Sequence, residues 1–463
     1  MSYAHNFHSS ICRANDIRGI VGKTLGEEDA YAIGRGVATM VMRAGGKAVA
    51  VGRDGRETSI DLARAVLRGI EEAGGVACFT GLGPTPMLYF AAHTLDVGGA
   101  VMVTGSHNPP DFNGFKLMLG KQTFGASAIQ ELSRIVAAGE LAEGEGTVIN
   151  CPVHDAYLDI LCERIGDIGT RTCAWDPGNG AVGAILEDIL VRLPGRHFAI
   201  NAEVDGRFPA HHPDPSDPNN MAALKDLVLA KQCDIGFAFD GDGDRLGIVD
   251  GEGRIVWPDQ YLALLAKPIL RRNPGATVIA DVKASDVLFD SIAAAGGVAE
   301  MWKTGHALVK QRLRETKAPL AGEMSGHIFL ADNWFGFDDA VYAALRILDA
   351  LEEENLEMAE FLDRLPRKSN TPEIRLQCDD ALKFDVMREV SRIVTAKRAD
   401  AISIDGVRVK SDGGWWLLRA SNTEPALVAR CEAENEQSLA GLMEELAEIL
   451  GQVGVDGSRL YSV

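Results

Sequence analysis

Residues 234–250 read DIGFAFDGDGDRLGIVD: an apolar run, a loop alternating acid with glycine, and an apolar return. Short apolar runs bounded by turn residues read as buried strands. The stretch therefore predicts a core strand, a tight polar loop and a hairpin-like return. The same shape occurs at GGAVMVTGSHNPPDFNGFKLML, residues 98–119, and at APLAGEMSGHIFLAD, residues 318–332.

Outward from each loop the order of elements also repeats. A first strand (AVAVGRD at 48–54, TCAWD at 172–176, TVIAD at 277–281) leads through a polar or glycine turn into a helical pattern. A second extended run follows (ACFTG at 77–81, AINAEVDG at 199–206, AEMWKTG at 299–305), then another helix or turn. Such alternation is the signature of an α/β fold, although unrelated α/β units share the rhythm. A true threefold repeat would bring three equivalent loops to the carboxyl ends of strands, where ligand-binding loops gather.

The expected boundaries follow. GELAEGEGT at 139–147 is acidic, glycine-rich and short of large apolar residues, as a linker would be. A second break falls near Asp250 to Gly253, and the helical run DDAVYAALRILDALEEENLEMAEFLDRL stops at Pro366, before RKSN. Beyond it the rhythm changes to EIRLQC, a helix over about 380–396, ISIDG, VRVKS, WWLLRAS, ALVARCEA and a final helix, with DGG at 412–414 as a hairpin turn. The expected division is 1–150, 151–252, 253–366 and 367–463: three related α/β domains with mixed sheets plus a smaller C-terminal α+β domain, around a central cleft.

The 463 residues are 46% apolar and 24% charged, the balance of a globular protein with real cores. A net charge of −20 argues against nucleic-acid binding, which needs basic stripes. The first residues lack a basic stretch followed by an apolar run, and nowhere is there the ~18-residue apolar stretch of a spanning helix. Eight cysteines without a CxxC pair read as reduced, structural thiols. A cytoplasmic protein with no membrane partner is expected, and, without a coiled-coil seam, a monomer.

In the loop 240–245, Asp240, Asp242 and Asp244 alternate with glycines, which let the backbone curl several carboxylates toward one ion. Hard oxygens suit magnesium or calcium. An EF-hand also begins D-x-D-x-D, but its glycine and glutamate positions hold Arg245 and Gly251 here. A solvated acidic turn is the other reading; three carboxylates this close repel strongly without a cation. Arg245 can bind a phosphate oxygen or balance the aspartates.

Ser106 follows an apolar strand, beside Gly105 and before His107, Asn108 and two prolines that stiffen the loop. Taken alone, this stretch reads first as a tight turn, and Lys116 equally as an ordinary surface lysine. Beside a carboxylate-bound ion, a phosphorylated Ser106 makes chemical sense, with Lys116 as a proton-transfer or phosphate group. GEMSGH at 322–327 presents Glu323, Ser325 and His327, suited to sugar hydroxyls or to a plain polar turn. LLRASNTEPALVAR at 417–430 sets Arg419, Ser421, Asn422 and Thr423 at a strand end, with Arg430 on the return. That set can grip a phosphate, the arginines binding bidentately, or form a capped hairpin turn.

Together these four loops resemble the α-D-phosphohexomutase superfamily, in the family's order and over essentially the whole chain. TGSHNPP looks like its phosphoserine loop, DGDGDR its magnesium loop, GEMSGH its sugar loop and RASNTEP its phosphate loop. The resemblance implies a phosphorylated Ser106 and one Mg2+ held by Asp240, Asp242, Asp244 and an oxygen on Ser106. It implies sugar contacts from Glu323 and Ser325, and a non-reacting phosphate held by Arg419, Ser421, Asn422, Thr423 and Arg430. Arg18 (in NDIRG), His107, Lys116, Arg245, Lys283, His306 and His327 would line the cleft, with Lys116 and His327 as proton-transfer candidates.

The implied reaction moves a phosphoryl group between C1 and C6 of a hexose phosphate through a 1,6-bisphosphate. Glucose or mannose 1,6-bisphosphate would serve as activator. GEMSGH looks most like the bacterial phosphomannomutase/phosphoglucomutase branch, whereas the phosphoglucosamine branch usually has Gln where Met324 stands. One departure is Asn15, where similar enzymes often carry an aromatic before DIRG. Phosphoglucosamine mutase is the same-fold alternative, distinguished by turnover of glucosamine phosphate. A phosphosugar-binding protein without chemistry is the other, and would show no magnesium-dependent turnover.

Overall fold

The computed structural model describes residues 3–13, 15–397, 400–421 and 425–461, and these contain four sheets in chain order. The first three share one topology. A unit's first strand is flanked by its second and third, both parallel to it, and a fourth returns antiparallel to the third. In the first sheet Ala48–Arg53 lies between Val76–Leu82 and Gly99–Val103, and Phe112–Leu119 returns. The second places Thr172–Asp176 between Arg196–Ala199 and Ile235–Phe239, with Leu246–Asp250 returning. In the third, Thr277–Asp281 lies between Val298–Trp302 and Leu320–Gly322, with Ile328–Leu330 returning.

The repeat read from the sequence is therefore a repeat of topology. The loops 104–111, 240–245 and 323–327 all leave the carboxyl end of their unit's third strand. Ile17–Ile20 extends the first sheet beside Phe112–Leu119, and Thr147–Asn150 extends it beside Val76–Leu82. The fourth sheet is antiparallel throughout. Its face carrying Trp416, Leu418, Leu427 and Ala429 packs under the helices Lys383–Lys397 and Glu436–Gln452.

Three elements differ from expectation. The run at 199–206 is not a strand: pairing occupies Arg196–Ala199, and Asn201 at φ 52° turns the chain away. The helical run 338–365 is two helices, Ala340–Glu354 and Met358–Arg364, because Asn355 (φ 50°) takes the left-handed conformation that ends helices. The acidic stretch 139–147 is bonded to the helices of the first domain, with Gly144 donating to the carbonyl of Glu72, the last residue of helix Ser59–Glu72, at 3.1 Å.

One apolar cluster runs through the first three domains, joining Phe90, Tyr157, Trp175, Tyr261 and Tyr342. The fourth domain has its own core around Trp416 and Leu446. Among the described residues no helix is long and apolar enough to cross a membrane.

Candidate active site

Ser106 sits at φ 49°, a left-handed conformation that non-glycine residues rarely adopt, and its side chain is buried. Its Oγ donates to Asp240 Oδ2 at 2.8 Å, with His107 Nδ1 3.2 Å away. Burial first, then the nearby Arg245 and Arg18 cations, push the His107 pKa well below the usual imidazole value. Arg18 reaches the loop from strand Ile17–Ile20, pairing with Asn108 Oδ1 and with Asp16 Oδ2 at 2.5 Å.

Asp240, Asp242 and Asp244 are fully buried. Asp240 Oδ1 accepts from the amides of Gly243, Asp244 and Arg245 at 3.0, 3.1 and 3.2 Å, which curls the loop around that carboxylate. Lys116 Nζ donates to Asp242 Oδ2 at 2.6 Å and to Asp244 Oδ2. Burial works against the Lys116 charge, but Asp242 and Asp244 outweigh it and hold the pKa well above the usual lysine value. Burial and the two neighbouring aspartates also push the Asp240 pKa up, well above the usual carboxylate range.

Oδ1 of Asp242 and Oδ1 of Asp244 are buried without a hydrogen-bond partner, and one oxygen from each of the three aspartates lies within 4.8 Å of the others. A hard divalent cation answers both the spare oxygens and the repulsion, so the residues fit a metal of that class. Thr85 Oγ1 donates to Asp242 Oδ2 at 2.5 Å, closing the loop from the first domain.

Beside the aspartates, Arg245 Nε donates to His327 Nε2 at 3.1 Å. His327 Nδ1 is 3.0 Å from Asp338 Oδ2, and the His306 ring stacks on His327 at 5.7 Å. Asp338 is a buried hub, accepting from Lys310 Nζ at 2.8 Å with His306 Nδ1 at 3.6 Å. Burial lowers the His306 pKa well below the usual value.

Glu323 accepts from the Gly305 amide at 2.5 Å, and its own amide donates to the His327 carbonyl at 2.9 Å. Burial raises its carboxyl above the usual range. Ser325 lies partly exposed on the same turn. Asn15 packs against Gly305: a Cβ on that glycine would lie 3.1 Å from Asn15 Nδ2.

Lys283 Nζ donates to Glu373 Oε1 at 2.6 Å, and Arg419 Nε to Asp405 Oδ2 at 3.1 Å. Arg430 donates to the Lys283 carbonyl at 2.6 Å, and Ser421 is buried beside the strand end. Asn422 and Thr423 lie outside the described residues.

The structure thus brings Arg18, Ser106, His107, Lys116, the three aspartates, Arg245, His306 and His327 into one contiguous cluster. Glu323 joins it through its amide bond to the His327 carbonyl, and Lys283 reaches the same turn through Asp281, whose carboxylate accepts from the amides of Lys283 and Met324 at 3.1 and 3.3 Å. Arg419 and Arg430 contact acidic or carbonyl groups at the edge of the fourth domain and do not touch the Ser106 cluster. Sequence reading missed Asp54, Arg56, Thr85, Lys310 and Asp338. The acid–glycine–arginine of GRDGRE at 52–57, at the end of a first strand, was the one available signal.

Four family models match in chain order. Phosphoglucomutase/phosphomannomutase alpha/beta/alpha domains I, II and III cover 9–143, 157–253 and 257–369, and the C-terminal domain covers 373–449. A phosphomannomutase/phosphoglucomutase of Pseudomonas aeruginosa is 42% identical over 431 residues, 93% of each chain. A phosphoglucomutase of Neisseria gonorrhoeae is 42% identical over 95% of this chain and 96% of its own. The crystal structure of a phosphoglucomutase/phosphomannomutase family protein from Burkholderia thailandensis superposes with a TM-score of 0.92 at 38% identity, over 97% of this chain and 99% of that one.

Proposed function

This chain belongs to the phosphoglucomutase/phosphomannomutase family, and from that premise we propose that it moves a phosphoryl group reversibly between C1 and C6 of mannose and glucose phosphates. The observation that carries the reading is the buried Ser106 Oγ, 2.8 Å from an aspartate of a three-carboxylate cluster in which two buried oxygens have no hydrogen-bond partner. A hydroxyl so placed suits a phosphoryl carrier.

Phosphorylated Ser106 transfers to the free hydroxyl of a hexose 1- or 6-phosphate. The P–Oγ bond breaks, a sugar O–P bond forms, the hydroxyl proton passes to His327, and the freed Ser106 oxygen takes up a proton to become the hydroxyl again. The 1,6-bisphosphate then turns end for end and its other phosphate returns to Ser106. Magnesium held by Asp240, Asp242, Asp244 and an oxygen on Ser106 would neutralise charge on the transferring group. Of the two proton-transfer candidates His327 is the acceptor, its Nε2 accepting a hydrogen bond from Arg245 Nε here. Lys116, held as an ammonium, suits donation to the departing oxygen and charge balance.

Glu323 and Ser325 orient the sugar hydroxyls. Arg18, His107, Arg245, Lys283 and His306 line the cleft, and Arg419, Ser421, Asn422, Thr423 and Arg430 grip the phosphate that is not reacting. Glucose or mannose 1,6-bisphosphate primes Ser106. The chain acts as a cytoplasmic monomer, a reading supported by its eight free cysteines and by the lack of a coiled-coil pattern in the sequence.

A coupled assay with mannose 1-phosphate and glucose 1-phosphate, magnesium and a trace of 1,6-bisphosphate tests the reading. Turnover of both sugars, abolished in Ser106→Ala, is expected. Wild-type protein inactive on both would overturn the assignment, and glucosamine phosphate would be tried next.

A further inference from the structure

We propose that Arg56 is the positioning residue that sets the reactive conformation of Ser106, and that Phe208 of the second domain locks it in place. The inference rests on the phosphoryl-transfer reading above. Arg56 is 1% exposed and spends its guanidinium on the backbone of one loop. Nη2 donates to the carbonyls of Ser106 and Asn108 at 2.8 and 2.5 Å, and Nη1 to those of Pro109 and Phe112 at 2.6 and 2.9 Å. Four carbonyls converge on one planar cation, so the loop closes as a ring around it. A guanidinium spans these directions in a way a single ammonium cannot.

The fork is itself held. Arg56 Nε lies 3.3 Å from Asp54 Oδ2, which also accepts from the Gly105 amide at 3.2 Å. Asp54 Oδ1 accepts from the Arg56 amide at 3.0 Å and from Ser59 Oγ at 2.5 Å. A Cβ at Gly105 would lie 2.5 Å from Arg56 Cζ, so the glycine before the serine is required by the arginine beneath it. Left-handed Ser106 persists because its surroundings over-determine it.

The second domain completes the lock. The Phe208 ring centroid is 4.9 Å from Arg56 Cζ, a cation–π contact across the domain boundary. A Cβ on Gly206 would lie 2.4 Å from Arg56 Cα, and one on Gly241 would lie 2.3 Å from the Ser106 carbonyl oxygen. The segment that caps Arg56 therefore belongs to the same domain as the aspartates that face Ser106. Arg56 fixes the distance between the carrier hydroxyl and the acidic loop without touching a substrate.

Arg56→Lys keeps the charge and removes the fork. With glucose 1-phosphate, magnesium and saturating 1,6-bisphosphate, kcat is expected to fall about 100-fold, the scale of a small misplacement of a reacting group. KM should stay within about threefold, because the sugar and phosphate grips lie elsewhere. Amide exchange across 104–115 should quicken about tenfold while the strand Ile235–Phe239 is unchanged. Phe208→Leu should move the same readouts in the same direction by about threefold, as loss of one cation–π contact warrants.

An Arg56→Lys variant with wild-type kcat, or with wild-type exchange in the loop, would overturn the proposal. A rise in KM matching the fall in kcat would also overturn it, since that marks a site damaged as a whole. If Arg56→Lys does not fold, Phe208→Leu decides, and unchanged loop exchange with unchanged kcat refutes the lock. The exchange arm needs no turnover, so it judges Arg56 even where the Ser106→Ala assay fails the mutase reading.

Discussion

Between the first three domains the seam is apolar and aromatic. Phe90 of the first domain meets Tyr157 of the second at 5.7 Å and Phe335 of the third at 6.0 Å, all within or against one continuous core. Between the third and fourth domains the seam is charged. Arg408 donates to the carbonyls of Val282 and Ala284, both at 2.7 Å, pairs with Asp286 at 2.6 Å and lies 3.6 Å from the Trp415 ring centroid. Lys283–Glu373, Arg430 to the Lys283 carbonyl, and the Thr304 amide to Asp405 at 3.0 Å complete it. Its apolar part is the small patch of Val282, Trp415 and Leu417.

The two seams behave differently under exchange of partners. Apolar burial is lost whenever surfaces part, with nothing in water to replace it. A cation bound to a carboxylate can take another anion, and phosphate is one. Lys283 and Arg419, both proposed to meet substrate, here sit on Glu373 and Asp405. The fourth domain is thus the part expected to shift on binding, with the three domains carrying Ser106, the aspartates and Glu323 holding their geometry.

The largest test breaks the apolar seam. Phe90→Ala should destabilise the protein by about 3–5 kcal/mol, the usual range for a buried aromatic, and lower the melting of all three domains together. Calorimetry that shows only the first domain affected would mean the cores are separate. Next, Arg408→Met strips two buried carbonyls and Asp286 of their partner, a loss of about 2–3 kcal/mol. The loss should fall on fourth-domain docking, visible in solution scattering as a more open particle, with the three-domain melting unchanged.

The smallest test is Glu373→Gln, expected to weaken docking by about 1 kcal/mol and to tighten binding of hexose phosphate by freeing Lys283. Burial acts to raise the Glu373 carboxyl, but Lys283 outweighs it and holds it well below its ordinary 4.5, at about 2. Its contribution is therefore fully present above pH 4.5 and drains away as pH falls toward 2. Acid titration of docking should lose that limb in the variant; an unchanged acid profile would remove Glu373 from the latch.

Much of this was legible along the chain. Each strand–loop–strand signal spans between 15 and 22 neighbouring residues, so DGDGDR, TGSHNPP and GEMSGH announced their loops without help from the fold. The misread elements were those where one residue's backbone conformation overrides a pattern. Asn201 and Asn355 sit left-handed, and both interrupt runs whose composition favours continuation.

What the sequence by itself determined is the threefold repeat, the acidic and hydroxyl chemistry of its loops and the place of each at a strand end, because these depend on neighbours a few residues apart. What only the tertiary structure decided is which group meets which: Ser106 with Asp240 across 134 positions, Lys116 with Asp244 across 128, and Arg56 with the Ser106 carbonyl across 50. A buried charge chooses its partner by distance in space and by the water it has lost, and neither quantity exists until the domains have packed.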